Sequence, residues 1–86
     1  MDSSKKSEKW HVYILECGDG SLYTGVTNNI KKRMKAHSNG KGSKYVSVKG
    51  FKKLLRSKEC NNKSDACKQE YAIKQLPKSK KLSWFD

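Results

Sequence analysis

The 86 residues are enough for one small domain and too few for a second independent one. Hydrophobic residues make up 34% of the chain, so the core is modest, but they form separated clusters that indicate a folded protein. No apolar stretch approaches the length of a membrane span, and the N-terminus lacks the apolar segment of a signal peptide. We therefore expect a soluble intracellular protein without a membrane partner, cytoplasmic or, in a eukaryotic host, nuclear.

Basic residues are concentrated in the middle of the chain. The 20 Lys and Arg residues exceed the 8 Asp and Glu residues, which gives a net charge of +12. Twelve of the basic residues fall between Lys31 and Lys63, where Glu59 is the only acidic residue. Such a field attracts polyanions, and phosphate contacts supply most non-specific affinity for nucleic acid. The alternative is a solvated, Lys-rich surface without a ligand, and we favour nucleic acid.

The three cysteines, Cys17, Cys60 and Cys67, are odd in number and lack the CxxC or Cys/His spacing of a metal site. This pattern disfavours both a disulfide framework and a structural zinc site. We expect reduced thiols that pack as small hydrophobic side chains.

Residues 1–9 are polar and charged, and they predict a flexible basic N-terminal arm before a single domain over residues 10–86. The domain begins with two apolar runs, Trp10–Cys17 and Ser21–Thr27. Gly18-Asp19-Gly20 separates them, and this pattern is typical of a β-hairpin.

The turn of this hairpin decides which side chains share a face of the sheet. A two-residue Asp19-Gly20 turn places Tyr13 and Tyr23 on opposite faces, whereas a three-residue loop from Gly18 to Gly20 places them on the same face. The sequence permits both registers. We favour the three-residue loop, in which Gly20 takes the left-handed conformation.

The rest of the chain predicts two helices, a third strand and a short C-terminal turn. Asn28 or Asn29 can cap the first helix, and Pro77 follows the end of the second. The segments are a helix from Ile30 to about His37, a flexible basic loop over Gly40–Tyr45, a strand over Phe51–Cys60, a helix from Ser64 or Asp65 to Leu76, and a turn within Lys78–Asp86 that returns Leu82, Trp84 and Phe85 to the core.

Two charged residues lie at the apolar faces of these helices. Arg33 borders the inner face of the first helix beside His37, and Glu70 lies within the apolar stripe of the second. Glu70 could hold Mg²⁺, and the guanidinium group of Arg33 could bind a phosphoryl oxygen. The side chains that could accept or relay a proton are Tyr13, Tyr23 and His37. Each has a simpler explanation, namely packed tyrosines, a histidine at a helix end, and an Arg33–Glu70 ion pair between the helices. By spacing alone, the ion pair is the stronger interpretation.

Short motifs follow one another along nearly the whole chain, from about Trp10 to Leu76. They are His11-Val12-Tyr13, Leu22-Tyr23-Thr24-Gly25-Val26-Thr27, Arg33 with His37 four residues later, Gly40-Lys41-Gly42-Ser43-Lys44-Tyr45, and Glu70-Tyr71-Ala72-Ile73-Lys74. In this order they resemble the GIY-YIG nuclease superfamily, above all its small stand-alone members. His11 and Val12 replace the Gly and Ile of the first motif, and Thr24 replaces the Ile of the second.

The resemblance implies an α+β fold, with a small three-stranded antiparallel sheet flanked by helices in the order β-β-α-β-α. A short C-terminal helix can follow. It also implies that Tyr13 and Tyr23 line the site and assist nucleophile activation. Arg33 would stabilise the pentavalent phosphate, and His37 would be an auxiliary base or a phosphate contact.

The resemblance further implies that Glu70 binds one divalent metal ion, Mg²⁺ or Mn²⁺, and that Gly25 allows close packing beside the site. The leading hypothesis is a metal-dependent endonuclease that hydrolyses phosphodiester bonds in DNA with low sequence specificity, because one small domain has few elements to read base edges. Structured or single-stranded DNA is the candidate substrate, and RNA is an alternative. The lysines expected to bind nucleic acid are Lys32, Lys41, Lys44, Lys49, Lys52 and Lys53.

Other classes of function remain open at this point. One is a non-catalytic nucleic-acid-binding module. Another is a nuclease subunit that depends on a protein partner for its specificity, and a third is an adaptor whose basic face docks an acidic protein. A mere binder would need only the lysines, so the joint presence of Tyr13, Tyr23, Arg33 and Glu70 favours the enzyme. We expect a monomer.

Overall fold

The computed structural model describes residues 9–86, so the arm predicted for residues 1–9 lies almost wholly outside the described residues. In the described part, three strands form one antiparallel sheet in the order β2-β1-β3, with helices packed on it. The elements are β1 (Trp10–Cys17), β2 (Leu22–Thr27), α1 (Ile30–Ser38), α2 (Lys44–Lys49), β3 (Phe51–Cys60), α3 (Lys63–Lys74), α4 (Lys78–Lys81) and a 3₁₀ helix (Ser83–Phe85). The predicted α+β class, the three-stranded sheet and the short C-terminal helix are confirmed.

The β1–β2 hairpin has the three-residue loop that we favoured. The amide of Cys17 donates to the carbonyl of Ser21 at 2.8 Å, and the amide of Gly20 donates to the carbonyl of Cys17 at 2.9 Å. Gly20 has a φ of 88°, in the left-handed region that favours glycine. In this register Leu15 pairs with Tyr23. Tyr13 and Tyr23 therefore lie on the same face of the sheet.

The two faces of the sheet carry separate apolar clusters. On one face, Val12 and Ile14 of β1 pack with Ala66 and Ile73 of α3, and the C-terminal Leu82, Trp84 and Phe85 cover them as predicted. On the other face, the cluster contains Tyr13, Leu15, Cys17 and Val46, with Ile30 and Met34 of α1 packed against it. The two tyrosines, Arg33 and His37 therefore lie on the face that α1 and α2 cover, whereas Glu70 is carried by α3, which packs against the other face.

The predicted flexible loop over Gly40–Tyr45 is wrong in its second half. Ser43 caps a helical turn there, because its hydroxyl accepts a hydrogen bond from the amide of Val46 at 3.1 Å. Val46 is 1% exposed and anchors α2 to the sheet. The helix ends at Gly50, whose φ is 87°.

Helix α3 begins earlier than Ser64 or Asp65. The side chain of Asn62 accepts from the amide of Asp65 at 2.8 Å, and the Asp65 carboxylate accepts from the amide of Asn61 at 3.1 Å. This reciprocal arrangement satisfies two amides at the start of the helix. On α1, Asn29 is the cap, with its side chain 3.0 Å from the amide of Lys32.

The cysteines are all free, as expected, but only two of them are buried. Cys17 and Cys60 pack inside the apolar clusters, whereas Cys67 is exposed on α3, so the expectation of three packed thiols is wrong for Cys67. Among the residues that the structure describes, no helix has the length and apolar character to cross a membrane.

Candidate active site

A hydrogen-bonded pair of buried polar side chains forms the centre of the candidate site. The hydroxyl of Tyr13 lies 2.8 Å from Nε2 of His37, and the two residues are 1% and 2% exposed. Tyr13 comes from the central strand β1, and His37 comes from the last turn of α1. The pair joins the helix to the middle of the sheet.

Two glycines make room for this pair. A Cβ atom on Gly25 would lie 2.6 Å from the Tyr13 hydroxyl oxygen and 3.1 Å from the ring of Tyr23. A Cβ atom on Gly42 would lie 2.6 Å from Cγ of the His37 ring. The two contacts at 2.6 Å are too short for a real Cβ atom. The backbone of Gly25 and Gly42 therefore packs directly against the Tyr13 and His37 side chains. The close packing that the resemblance implied for Gly25 is confirmed.

Aromatic rings extend from the buried pair toward the surface. The half-buried ring of Tyr23 meets His37 edge-on at 5.6 Å between centroids, and its centroid lies 6.4 Å from that of Tyr13. Tyr45 of α2 stacks on Tyr23 at 5.8 Å, with 26° between the rings. Phe51 stacks on His37 at 6.3 Å. Tyr23 is therefore the intermediate ring between the core and solvent.

Arg33 lines a cleft next to this cluster. Its guanidinium Nη1 donates to the carbonyl of Gly42 at 3.3 Å, which fixes the side chain across the loop after α1. The cleft has a volume of about 350 Å³ and is lined by the end of β2, by α1 and by that loop. Lys32, Arg33 and Lys41 all face it, with no carboxylate among its lining residues in the described chain. Such a cleft attracts phosphate.

Glu70 lies on α3, and its side chain is 22% exposed. Its carboxylate is 3.0 Å from the ammonium of Lys74, one helical turn later. The Arg33–Glu70 ion pair that spacing suggested is therefore wrong, because Arg33 turns to the Gly42 carbonyl and Lys74 supplies the cation that Glu70 requires. The carboxylate stays available to a ligand from the solvent side.

The charges of Arg33 and Glu70 both act on Tyr13. Burial raises the pKa of Tyr13 well above its usual value, Tyr23 and Glu70 add to the rise, and Arg33 opposes it. Burial also lowers the pKa of His37, and the positive charge of Arg33 lowers it further. At neutral pH the pair is thus a neutral phenol beside a neutral imidazole. Nδ1 of His37 is buried and has no hydrogen-bond partner.

The donor set near Glu70 suits a single hard cation. No group of three or more His, Cys, Asp or Glu side chains that could hold a metal occurs within residues 9–86. One carboxylate, completed by water and substrate phosphate, is a common arrangement for Mg²⁺. The residues present therefore fit one magnesium-type ion and do not form a zinc site.

The lysines expected to bind nucleic acid divide into two groups. Lys32 and Lys41 line the Arg33 cleft, and Lys44 and Lys49 project from α2. Lys52 and Lys53 lie on β3 near Glu16, whose carboxylate is 3.7 Å from the Lys52 ammonium. Glu16 and Lys53 line a hollow with Leu22, Leu55 and Leu82 on the opposite face of the sheet. The structure therefore brings four of the six to the side of the tyrosines.

Three residues of the site, Gly42, Tyr45 and Lys74, were not given a role in the sequence analysis. Gly42 resembled a flexible loop position, although it packs against His37. Tyr45 was assigned to the same loop, and only the pairing of Ser43 with a hydrophobic residue three positions later could have indicated the helix that carries it. The i, i+4 spacing of Glu70 and Lys74 was a readable signal for their ion pair.

Comparison with known proteins agrees with this arrangement. The family model of the GIY-YIG catalytic domain matches residues 9–83, nearly the whole chain. The chain belongs to the GIY-YIG family. This is a nuclease superfamily whose members are generally metal-dependent, and a GIY-YIG domain acts on nucleic acid.

Relatives of similar size share most of this GIY-YIG domain. The chain is 51% identical over 79 residues to a UPF0213 protein of Oceanobacillus iheyensis, which covers 92% of each chain. It is 51% identical over 72 residues to a UPF0213 protein of Clostridium perfringens, covering 84% of this chain and 77% of the relative. The solution NMR structure of a UPF0213 protein from Bacillus halodurans has a TM-score of 0.54 and 41% identity, covering 88% of this chain and 81% of that one. The designation UPF0213 states no activity, so these relatives support the family and the fold.

Proposed function

We propose that the protein is a metal-dependent endonuclease that hydrolyses phosphodiester bonds in DNA with low sequence specificity. The observation that carries the proposal is the cluster of Tyr13, Tyr23 and His37, with Arg33 in the adjoining cleft. Tyr13 of β1, Tyr23 of β2 and His37 of α1 form one ring cluster, and the charges of Arg33 and Glu70 act on Tyr13 within it. A module that only binds nucleic acid would need the lysines but not this cluster.

Arg33 is assigned to the phosphate that is cleaved. The guanidinium is permanently charged, and it sits in a cleft that also presents Lys32 and Lys41. Negative charge on the phosphoryl oxygens is greatest in the transition state, so a fixed cation there lowers the barrier more than it strengthens substrate binding. The two lysines hold the flanking backbone.

The Tyr13–His37 pair is assigned to proton transfer. As the water oxygen bonds to phosphorus, the water proton passes to the oxygen of the half-buried Tyr23. The Tyr23 proton passes to the buried Tyr13 oxygen, and the Tyr13 proton passes to Nε2 of His37. The bond from phosphorus to the leaving oxygen breaks, and that oxygen takes a proton from solvent. Burial and Arg33 lower the pKa of His37, so its ring is unprotonated at neutral pH and Nε2 has a free lone pair for the proton. Tyr23, the more exposed tyrosine, lines the approach to this pair.

Glu70 is assigned to the metal. Its carboxylate is a hard oxygen ligand, and it is partly open to solvent. When bound, Mg²⁺ or Mn²⁺ supplies charge neutralisation at a phosphoryl oxygen and acidifies a bound water. The Lys74 ammonium, 3.0 Å away on the same helix, orients the carboxylate.

Single-stranded or structured DNA is the substrate class that we propose. The tyrosine side of the described domain presents the Arg33 cleft and two short helices, α1 and α2, which is little surface for reading base edges in a groove. The net charge of +12 supplies affinity that does not depend on sequence and weakens as salt rises. We propose a monomer, and a protein partner is not needed for the chemistry.

The test is cleavage of single-stranded, duplex and branched DNA by the purified protein, with Mg²⁺, with Mn²⁺ or with EDTA. The key variant is Glu70→Gln, which removes the charge and keeps the shape. Glu59→Gln is the matched control, because Glu59 is an exposed carboxylate on β3 that pairs with Lys9 at 4.0 Å.

We expect cutting that requires the metal, disappears in Glu70→Gln and persists in Glu59→Gln, while Glu70→Gln still binds DNA. Salt-sensitive DNA binding without cutting under any of these conditions would contradict the enzyme and favour a binding module or a partner-dependent subunit. Failure of Glu70→Gln to fold would assign Glu70 a structural role.

A further inference from the structure

The ring of Tyr45 is unusually exposed for a residue so close to the site. It is 43% exposed, yet it stacks on Tyr23 with 5.8 Å between centroids and 26° between planes. Tyr23 in turn contacts His37, so Tyr45 is the outermost ring of the cluster. A stacked tyrosine that is nearly half exposed offers a flat apolar surface to a ligand.

Helix α2 holds this ring in a fixed position. Ser43 caps its first turn, and the buried side chain of Val46 anchors it one residue after Tyr45. The backbone then turns sharply at Gly50, whose amide donates to the carbonyl of Val46 at 2.7 Å. The orientation of the Tyr45 ring is therefore determined before any ligand arrives.

One lysine side chain lies over the Tyr45 ring. The Lys49 ammonium lies 5.6 Å from the ring centroid and 3.2 Å from the Asp19 carboxylate, and Lys44 precedes Tyr45 on the same helix. Helix α2 contains no acidic residue. An exposed aromatic ring with a lysine over it, on a helix without acidic residues, is a combination that binds a base by stacking and its phosphates by charge.

We propose that Tyr45 is a binding site for an unpaired nucleobase, held beside the scissile phosphate. The inference rests on the proposed nuclease function and names the substrate feature that its site takes. Every nucleobase has a flat face, so stacking on Tyr45 tolerates any sequence. Bases inside a duplex are already stacked on both faces and offer none to Tyr45. The site therefore selects single strands, flaps or open junctions over continuous duplex.

The experiment measures binding without cleavage, in EDTA, to a single-stranded oligonucleotide that contains 2-aminopurine, whose fluorescence reports stacking. The variants are Tyr45→Leu, Tyr45→Phe and Tyr45→Trp. Tyr71→Leu is the matched control, because Tyr71 is a 68% exposed tyrosine on α3. Circular dichroism and thermal unfolding show whether each variant is folded.

Loss of the ring is expected to weaken single-strand binding by about tenfold in Tyr45→Leu and to abolish the change in 2-aminopurine fluorescence. Tyr45→Phe and Tyr45→Trp should bind at least as well as the wild type, and all variants should bind blunt duplex equally. Where Tyr45→Leu is unstable, Tyr45→Trp, which has the larger ring, should bind single strands more tightly than Tyr45→Phe, and equal affinity of the two would overturn the site.

The outcomes separate this inference from the proposed function. Metal-dependent cleavage with equal single-strand affinity in wild type and folded Tyr45→Leu would overturn the base site and leave the nuclease standing. Ring-dependent binding without any cleavage would support the base site and contradict the nuclease. Absence of both DNA binding and cleavage would overturn both. An equal loss in Tyr71→Leu would also overturn the assignment to Tyr45.

Discussion

The hydroxyl of Tyr13 and Nε2 of His37 are 2.8 Å apart, in a part of the molecule where neither side chain reaches solvent. A buried polar group without a partner costs free energy, so this contact stabilises the folded protein. It also attaches α1 to β1 and thereby sets the position of Arg33, one turn before His37 on the same helix. Stability and site geometry depend on the same contact.

The first prediction concerns removal of that hydroxyl. Tyr13→Phe leaves Nε2 of His37 buried without a partner, which should lower the free energy of unfolding by about 1–3 kcal/mol. It also removes the group that we place between water and His37, so the cleavage rate should fall at least about 100-fold. Urea unfolding and single-turnover cleavage measure the two effects.

Tyr71→Phe is the control for this substitution, because Tyr71 is 68% exposed. It should match the wild type in both assays. A normal cleavage rate in folded Tyr13→Phe would remove Tyr13 from the proton path and leave it a packing role.

The second prediction concerns pH and His37. Burial, and then the charge of Arg33, lower the pKa of His37 below its usual 6.5. Between that lowered pKa and 6.5 the unfolded chain binds more protons at this position than the folded chain does. The contribution of neutral His37 to stability is therefore complete above pH 6.5 and declines as the pH falls below it.

Urea unfolding between pH 5 and pH 8 measures this dependence. His37→Gln should flatten the decline below pH 6.5. His11→Gln should retain it, since His11 is a half-exposed residue on β1 whose Nδ1 contacts the carbonyl of Lys9. The same slope in His37→Gln and wild type would show that another group produces the pH dependence.

The third prediction concerns Arg33. Arg33→Ala should reduce the rate of cleavage by about 10²–10³-fold and change DNA affinity much less, because the charge matters most in the transition state. Arg33→Lys should recover part of the rate, since it keeps the charge and loses the two-pronged geometry. Single-turnover rates and anisotropy titrations separate the two quantities.

Lys35→Ala is the matched control on the same helix, where Lys35 is exposed. It should weaken binding slightly and leave the rate unchanged. A rate in Arg33→Ala equal to that of Lys35→Ala would contradict the phosphate role.

Short sequence patterns were sufficient to predict much of the fold. Gly18-Asp19-Gly20 between two apolar runs was enough to favour the three-residue loop, and that loop alone placed Tyr13 and Tyr23 on one face. The limits of α1 followed from a capping asparagine and the Asn-Gly stop after it. These features depend on neighbours in sequence, so sequence patterns describe them well.

The features that the sequence did not reveal depend on contacts between distant segments. Helix α2 contains two valines and only six residues, and its stability comes from the burial of Val46 against the sheet, which no local pattern reports. The partner of Arg33 is a backbone carbonyl at Gly42 rather than Glu70. A backbone partner has no sequence signature, so spacing pointed to the wrong ion pair.

The fourth prediction concerns Gly25, which lies against the Tyr13 hydroxyl. In Gly25→Ala the new methyl carbon would lie 2.6 Å from that oxygen and 2.8 Å from the ring carbon that carries it. Tyr13 is 1% exposed and has no space to retreat, so the free energy of unfolding should fall by about 1–3 kcal/mol and the cleavage rate should fall with it.

The double variant with Tyr13→Phe identifies the cause. Removing the hydroxyl relieves the shorter contact, so the double variant should lose less stability than the two single losses combined. Additive losses would mean that Gly25 acts through β2 itself and not through the position of Tyr13.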